Sequence, residues 1–294
     1  MIYKGSATAL VTPFNDDKSV NYSELERLVD FQIENGTDAL VICGTTGEAS
    51  TLSDDEQIEV IRTAVVRANH RVPVIGGAGS NDTAHGVELC KRSQAAGADA
   101  VVLVTPYYNK TTQKGLVVHY KAMAKAIDIP IVLYNIPGRT GLALEPETIF
   151  TLCTETDTII ALKEASGNYE KISRTAQLCA DRLDMYSGND NEILPIMSLG
   201  GKGVISTVAN VVPKEIHEMT SLFMDGKIEE AAKIQLKLIP LINALFKEVN
   251  PIPVKAALAM MGFKTGGYRP PLVEMENANY ENLRREMQSV LEKQ

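Results

Sequence analysis

Lys163 follows the apolar run Ile159-Ile160-Ala161-Leu162, so an ammonium sits at the end of a stretch with strand character. A free lysine has a pKa about 3 units above 7, which leaves on the order of one amine in a thousand neutral. Desolvation over an apolar wall lowers that pKa and makes the amine a nucleophile toward carbonyls. On position alone, a lysine that snorkels to water or pairs with a carboxylate fits equally well. Tyr134 ends another such run, Ile131-Val132-Leu133. A phenol there could trade protons with an imine on a neighbouring lysine, although an ordinary buried tyrosine has the same pattern. Gly44-Thr45-Thr46-Gly47-Glu48 offers two hydroxyls and turn amides between glycines. Such a loop can hold a small carboxylate, or be only a turn whose glycines serve backbone geometry. Arg139 lies just past Tyr134. It could grip a substrate carboxylate with both arms, or form a surface salt bridge.

Other chemistries find less support. His70, His85, His119 and His217 are dispersed, as are Cys43, Cys90, Cys153 and Cys179. No pair has zinc-ligand spacing and there is no C-x-x-C, so no metal is expected and the cysteines read as reduced. Gly76-Gly77-Ala78-Gly79 hints at a dinucleotide loop but lacks the third glycine at the required spacing. Gly200-Gly201-Lys202-Gly203 has no Walker spacing after it and reads as a tight turn. The 29 basic residues are scattered against 37 acidic ones, for a net charge of −8, which speaks against a nucleic-acid partner. The first residues lack the apolar segment of a signal peptide, and no stretch approaches ~20 apolar residues. A cytoplasmic chain with no membrane partner is therefore expected.

The elements that must position these groups form a regular series. The 294 residues are 45% hydrophobic, enough to bury a large core. Eight short Val- and Ile-rich runs, at 7–11, 39–42, 73–75, 100–104, 131–134, 159–162, 184–186 and 203–205, lack alternation, as strands buried on both faces do. Helical patterns lie between them. Leu25, Leu28, Val29 and Ile33 repeat at helical spacing, and so do Ile58, Ile61 and Val65. Ser53 with Glu56 makes a capping box, Asn21 with Glu24 resembles one, and Pro146 suits a first helical turn. Residues 35–41 echo residues 96–102, each time at the entry to a strand. A repeated βαβα unit and evenly spaced strands favour a (β/α)8 TIM barrel over an open doubly wound sheet. The expected division is a barrel over residues 1–224 and a helical C-terminal extension over 225–294, with Pro240 kinking one helix and Leu283, Met287, Val290 and Leu291 on one face of the last.

In such a barrel, chemistry collects where the strands end at their C-terminal side. This chain places there Gly44-Thr45-Thr46-Gly47, Pro106-Tyr107-Tyr108-Asn109, Gly138-Arg139-Thr140-Gly141, Lys163-Glu164-Ala165-Ser166-Gly167 and Ser187-Gly188-Asn189-Asp190.

Together these motifs resemble the class I, Schiff-base-forming pyruvate aldolases of the dihydrodipicolinate synthase and N-acetylneuraminate lyase family, over almost the whole chain. Gly44-Thr45-Thr46-Gly47-Glu48, Tyr134-Asn135-x-Pro137 and Lys163 carry the resemblance. Arg139, which sialic acid lyases usually lack, and Gly203-Val204-Ile205-Ser206 narrow it to the dihydrodipicolinate branch, with a sugar-acid or sialic acid aldolase as the alternative. The resemblance implies that pyruvate and L-aspartate 4-semialdehyde condense through an imine on Lys163, with no cofactor. It implies that Tyr134 moves the protons, that Thr45 and Tyr108 complete a relay, and that Tyr107 reaches into a neighbouring subunit. It implies that Thr46 and the backbone at Ile205 hold pyruvate, that Arg139 holds the semialdehyde carboxylate, and that Gly188 lines the site. It implies a homotetramer built as a dimer of dimers. Lysine-inhibited members usually carry histidines at the positions of Asp54 and Gln57 and a glutamate at that of His85, so weak lysine feedback is expected, although Asn81 and Tyr107 remain.

Overall fold

Eight parallel strands close on themselves in chain order: β1 (Gly5–Ala9), β2 (Ala39–Ile42), β3 (Val74–Gly77), β4 (Ala100–Val104), β5 (Ile131–Asn135), β6 (Ile159–Glu164), β7 (Asp184–Ser187) and β8 (Gly203–Ser206). The computed structural model describes residues 1–291, with the Leu291 side chain outside the described part. The helices between the strands are α1 (Tyr22–Glu34), α2 (Asp54–Ala68), α3 (Thr83–Ala95), α4 (Gln113–Ala124), α5 (Pro137–Thr140), α6 (Pro146–Glu155), α7 (Tyr169–Cys179) and α8 (Ile193–Ser198). After β8 come α9 (Pro213–Met224), α10 (Ile228–Leu245), α11 (Ile252–Met260) and α12 (Asn277–Leu291). This is the (β/α)8 barrel with further C-terminal helices.

Every strand is buried along nearly its whole length, which is why the runs show no polar alternation. Side chains facing inward fill the barrel: Ala7, Val41, Ile75, Val102, Val132, Ala161, Tyr134, Tyr186 and Ile205 share one cluster. Tyr3 stacks on Tyr186 with ring centroids 4.4 Å apart and hydrogen-bonds to the Val204 carbonyl, sealing the end where the strands begin. The small residues in the other half of the sequence pattern also have a physical role. A Cβ on Gly77 would stand 2.0 Å from the Cys43 carbonyl, so Gly76-Gly77-Ala78-Gly79 serves close packing of β3 against β2.

The internal repeat is a repeated hydrogen-bond device. Asp38 accepts from the Ser6 amide at 2.8 Å, and Asp99 from the Val74 amide at 2.8 Å. Each aspartate, set just before its own strand, ties off the start of the strand beside it.

Six of the eight strands differ from the apolar runs by one or two residues at one end or both, and two of these differences have a clear cause. The first strand begins at Gly5 rather than residue 7, because Gly5 pairs with Gly203 where the barrel closes. The sixth runs through Lys163 and Glu164, beyond its apolar run. Polar residues are tolerated there because Asn135 Nδ2 at 2.9 Å and the Ser166 amide at 2.6 Å satisfy the Glu164 carboxylate.

Helix starts follow the capping signals. Ser53 and Glu56 form the full reciprocal box. Asn21 accepts from the Glu24 amide, but the Glu24 carboxylate turns to the Lys264 amide instead of completing the box. Pro146 occupies the first turn of α6. Helix α10 runs unbroken through Pro240. Leu238, Leu241, Ile242 and Leu245 of α10 and Leu283, Met287 and Val290 of α12 are buried in one outer core with α1 and α2. Each such residue contributes roughly 1.5–3 kcal/mol by leaving water.

Candidate active site

The mouth of the barrel, where the strands end, gathers the chemistry. Strand pairing sets Tyr134 of β5 directly beside Lys163 of β6, and Lys163 beside Tyr186 of β7. The Lys163 Nζ lies 4.3 Å from the centre of the Tyr134 ring. Both residues are buried, at 8% exposure each. Burial pushes the Lys163 ammonium down to about 8; the Asp190 carboxylate opposes this and the Arg139 charge assists it. At pH 7 a group with that pKa is neutral about one time in ten, against about one in three thousand at 10.5. A neutral amine is thus supplied without an adjacent base.

Tyr134 is shifted the other way. Burial raises its phenol to about 12, against the Arg139 charge and a hydrogen bond with Thr45. It stays protonated at neutral pH and can donate a proton beside the amine.

A second buried amine shows what distinguishes Lys163. Lys255 of α11 also has its pKa lowered by burial, but its Nζ is 2.7 Å from Glu48 Oε1 and lies over the ring of Phe14. That amine is fully engaged. Asp190 acts on Lys163 through charge alone.

The loop after β2 is tightly built. The Gly47 amide donates to the Gly44 carbonyl and the Glu48 amide to that of Thr45, each at 3.1 Å. Cys43 (φ 56°) and Glu48 (φ 53°) bracket it in left-handed conformation, each costing about 1–2 kcal/mol that the surrounding contacts offset. Thr12 Oγ1 donates to the Gly47 carbonyl at 2.7 Å. Thr45 is half-buried and faces the phenol, while Thr46 is buried with its Oγ1 3.3 Å from Thr207 Oγ1.

Of the remaining expected residues, Gly188, Ile205 and Arg139 fall around this centre, while Tyr107 and Tyr108 do not. Gly188, after β7, packs on Lys163: a Cβ there would stand 3.1 Å from Lys163 Cγ and 2.8 Å from Ala165 Cβ. Ile205 is in β8, buried inside the barrel with Tyr134. Arg139 lies in α5, exposed, with Nη2 3.3 Å from the Asn250 carbonyl. Tyr108 stands apart: it is 92% exposed, at φ 68°, and is not among the partners of the phenol within the described chain. Its segment is led outward by Asn81, whose Nδ2 donates to the Tyr107 carbonyl at 3.2 Å. Tyr107 is itself 39% exposed.

Three contributors were given no role by the sequence. Asp190 is buried; it accepts from Ser206 Oγ and from the Thr207 amide at 3.1 Å, fixing the turn after β8. Its position after Ser187-Gly188-Asn189, at a strand end, is the one sequence signal that could have marked it. Asn250 and Lys255 come from the C-terminal helices and meet the loop of β2 across some two hundred residues. Elsewhere, His85 is held between Asp54 and Ser80, at 3.0 Å from each, and Gln57 donates to the Gly77 carbonyl at 2.6 Å. Among the described residues no group of acidic, histidine or cysteine side chains could hold a metal ion. The cysteines, scattered in sequence, are not all apart in space: the thiols of Cys153 on α6 and Cys179 on α7 share a hydrogen bond.

Comparison with known proteins agrees with this geometry. The dihydrodipicolinate synthetase family matches residues 2–290. A 4-hydroxy-tetrahydrodipicolinate synthase of Lachnoclostridium phytofermentans is 52% identical over 98% of each chain. One from Caldicellulosiruptor saccharolyticus is 53% identical over 97% of this chain and 96% of its own. A crystal structure of dihydrodipicolinate synthase from Acinetobacter baumannii complexed with pyruvate is 42% identical and superposes with a TM-score of 0.95, covering 98% of this chain and 99% of that one.

Proposed function

The chain belongs to the dihydrodipicolinate synthetase family, and from that premise we propose that it condenses pyruvate with L-aspartate 4-semialdehyde to give 4-hydroxy-tetrahydrodipicolinate, on the route to diaminopimelate and lysine. The observation that carries this reading is the buried Lys163 amine, with a pKa near 8, set 4.3 Å over the Tyr134 ring.

The Lys163 amine attacks the keto carbon of pyruvate. Tyr134 donates a proton to the resulting hydroxyl, which leaves as water as the imine forms. The protonated imine draws electrons from the methyl group, which gives a proton back to the Tyr134 phenolate to leave the enamine. The enamine carbon attacks the aldehyde, whose oxygen takes a proton from Tyr134 to become the hydroxyl as the imine is restored. The amine of the semialdehyde then displaces Lys163 as the ring closes, and the enzyme is restored. The protonated imine on Lys163 is itself the electron sink, so no step runs through a metal or an organic cofactor. Thr46 and the backbone at Ile205 hold the pyruvate carboxylate, Arg139 the carboxylate of the semialdehyde, and Gly188 leaves room beside the Lys163 stem.

Thr45 links Tyr134 to a longer proton relay. Tyr108 is its next member, acting at a contact between subunits; its exposure in one chain supports that reading. Tyr107, beside it, reaches the neighbour in a homotetramer built as a dimer of dimers. Residues 1–224 act as the catalytic barrel and 225–294 as its helical extension. No helix among the described residues is long and apolar enough to cross a membrane, and we place the enzyme in the cytoplasm.

A coupled assay with pyruvate and L-aspartate 4-semialdehyde tests the acceptor. Turnover with the semialdehyde, and little with sugar aldehydes, is expected. The reverse preference would assign the chain to a sugar-acid or sialic acid aldolase.

A further inference from the structure

The C-terminal helices return one residue to the barrel mouth. Asn250, in the turn between α10 and α11, is only 7% exposed. Its Nδ2 donates to Thr46 Oγ1 at 2.9 Å, and its backbone carbonyl accepts from Arg139 Nη2 at 3.3 Å. One residue therefore touches both side chains given above to the two substrate carboxylates.

The hydrogen-bond inventory says what this contact does. A threonine hydroxyl has one proton and two acceptor lone pairs. The Asn250 amide nitrogen can only donate, so it occupies one lone pair of Thr46. Thr207 Oγ1, 3.3 Å away, can donate to the other. The Thr46 proton is then free for an anionic carboxylate, a charge-assisted bond stronger than one to a neutral acceptor. The Asn250 carbonyl takes one N–H of Arg139 in the same way and leaves the rest of the guanidinium for the second anion.

The turn is also pinned from behind. The Lys255–Glu48 pair, 2.7 Å apart with side chains 0% and 1% exposed, joins α11 to the residue that closes the Thr45–Thr46 loop. The Arg269 amide reaches Glu48 Oε2 at 3.4 Å. Neither side of the Asn250–Thr46 contact can drift to compensate for its loss.

We propose that Asn250 is a positioning residue that orients Thr46 for pyruvate and Arg139 for the aldehyde substrate, coupling the two carboxylate sites through one side chain and its backbone. This rests on the condensation reading above.

Asn250→Ala and the near-isosteric Asn250→Asp test it, with wild type alongside. Borohydride trapping with mass spectrometry reads the half-saturating pyruvate concentration, and steady-state kinetics separate KM from kcat. Asn250→Ala is expected to raise half-saturating pyruvate on the order of tenfold, with kcat changed much less. Asn250→Asp, which cannot donate, accepts the Thr46 proton and sets a second anion near the substrate, is expected to bind pyruvate more weakly still. If Asn250→Ala does not fold, Asn250→Asp carries the test, because it keeps the shape of the turn. Pyruvate saturation within twofold of wild type in a folded variant overturns the inference, as does a loss confined to kcat and melting temperature. A wild-type protein that gives no pyruvate adduct overturns the condensation reading, and this inference with it. An adduct in wild type with unshifted variants overturns the inference alone.

Discussion

Replacing Lys163 by methionine should abolish the pyruvate imine and yet stabilise the protein, in a manner that depends on pH. Burial lowers the Lys163 pKa from 10.5 to about 8, so the folded chain binds this proton more weakly than the unfolded chain does. The sign follows directly. The penalty on folding is complete below pH 8, shrinks as pH rises, and is gone above the unfolded value of 10.5. From its depressed pKa, the wild type carries about 3 kcal/mol of destabilisation at pH 7, falling to about 1 kcal/mol at pH 9.5. Methionine has a similar reach and no charge, so Lys163→Met removes this cost. Asp190 keeps its hydrogen bonds from Ser206 and the Thr207 amide, so the variant leaves that carboxylate partnered. Reversible urea unfolding of both proteins at pH 7 and 9.5, at equal concentration, reads the effect. Lys163→Met should be the more stable at pH 7, and its advantage should shrink by about 2 kcal/mol at pH 9.5. An advantage that does not change with pH would refute the claim that Lys163 is held as a strained ammonium.

Two further outcomes are expected. Tyr134→Phe should lower kcat by roughly 10²–10⁴ and slow formation of the trappable imine, since the proton donor for loss of water is gone; near-wild-type kcat in steady-state assays would remove Tyr134 from the chemistry. A titration with L-lysine should leave activity nearly unchanged at sub-millimolar concentration, because Asp54 is engaged with His85 and Gln57 with the Gly77 carbonyl; strong inhibition there would contradict it.

Much of the fold was legible because a barrel strand is buried on both faces and so appears as an unbroken apolar run. The eight runs align with the eight strands, and the Asp38 and Asp99 repeat marks two strand entries by a shared hydrogen-bond device. The same logic misplaced the end of the sixth strand. An apolar run stops at Leu162, but strand pairing continues through Lys163 and Glu164 because partners from β5 and the following loop satisfy the polar groups. Within the candidate site, Lys163, Tyr134, Thr45 and Thr46 were legible since each closes or follows an apolar run or fills a glycine-framed loop. Asn250 and Lys255 were not, and Asp190 was visible only as the end of the Ser187–Asp190 segment, without a role. Their roles depend on contacts with residues far away in the chain, and nothing in the local sequence around Asn250 marks the threonine it meets. Tyr108 illustrates the opposite limit: its motif is clear, but its surroundings in one chain are solvent.

The most direct test of the proposed chemistry is to reduce the protein with borohydride in the presence of pyruvate, digest it, and locate the modified lysine by mass spectrometry. A single reduced pyruvate on Lys163, lost in Lys163→Met, is the predicted result. No adduct, or one on another amine such as Lys255, would contradict it.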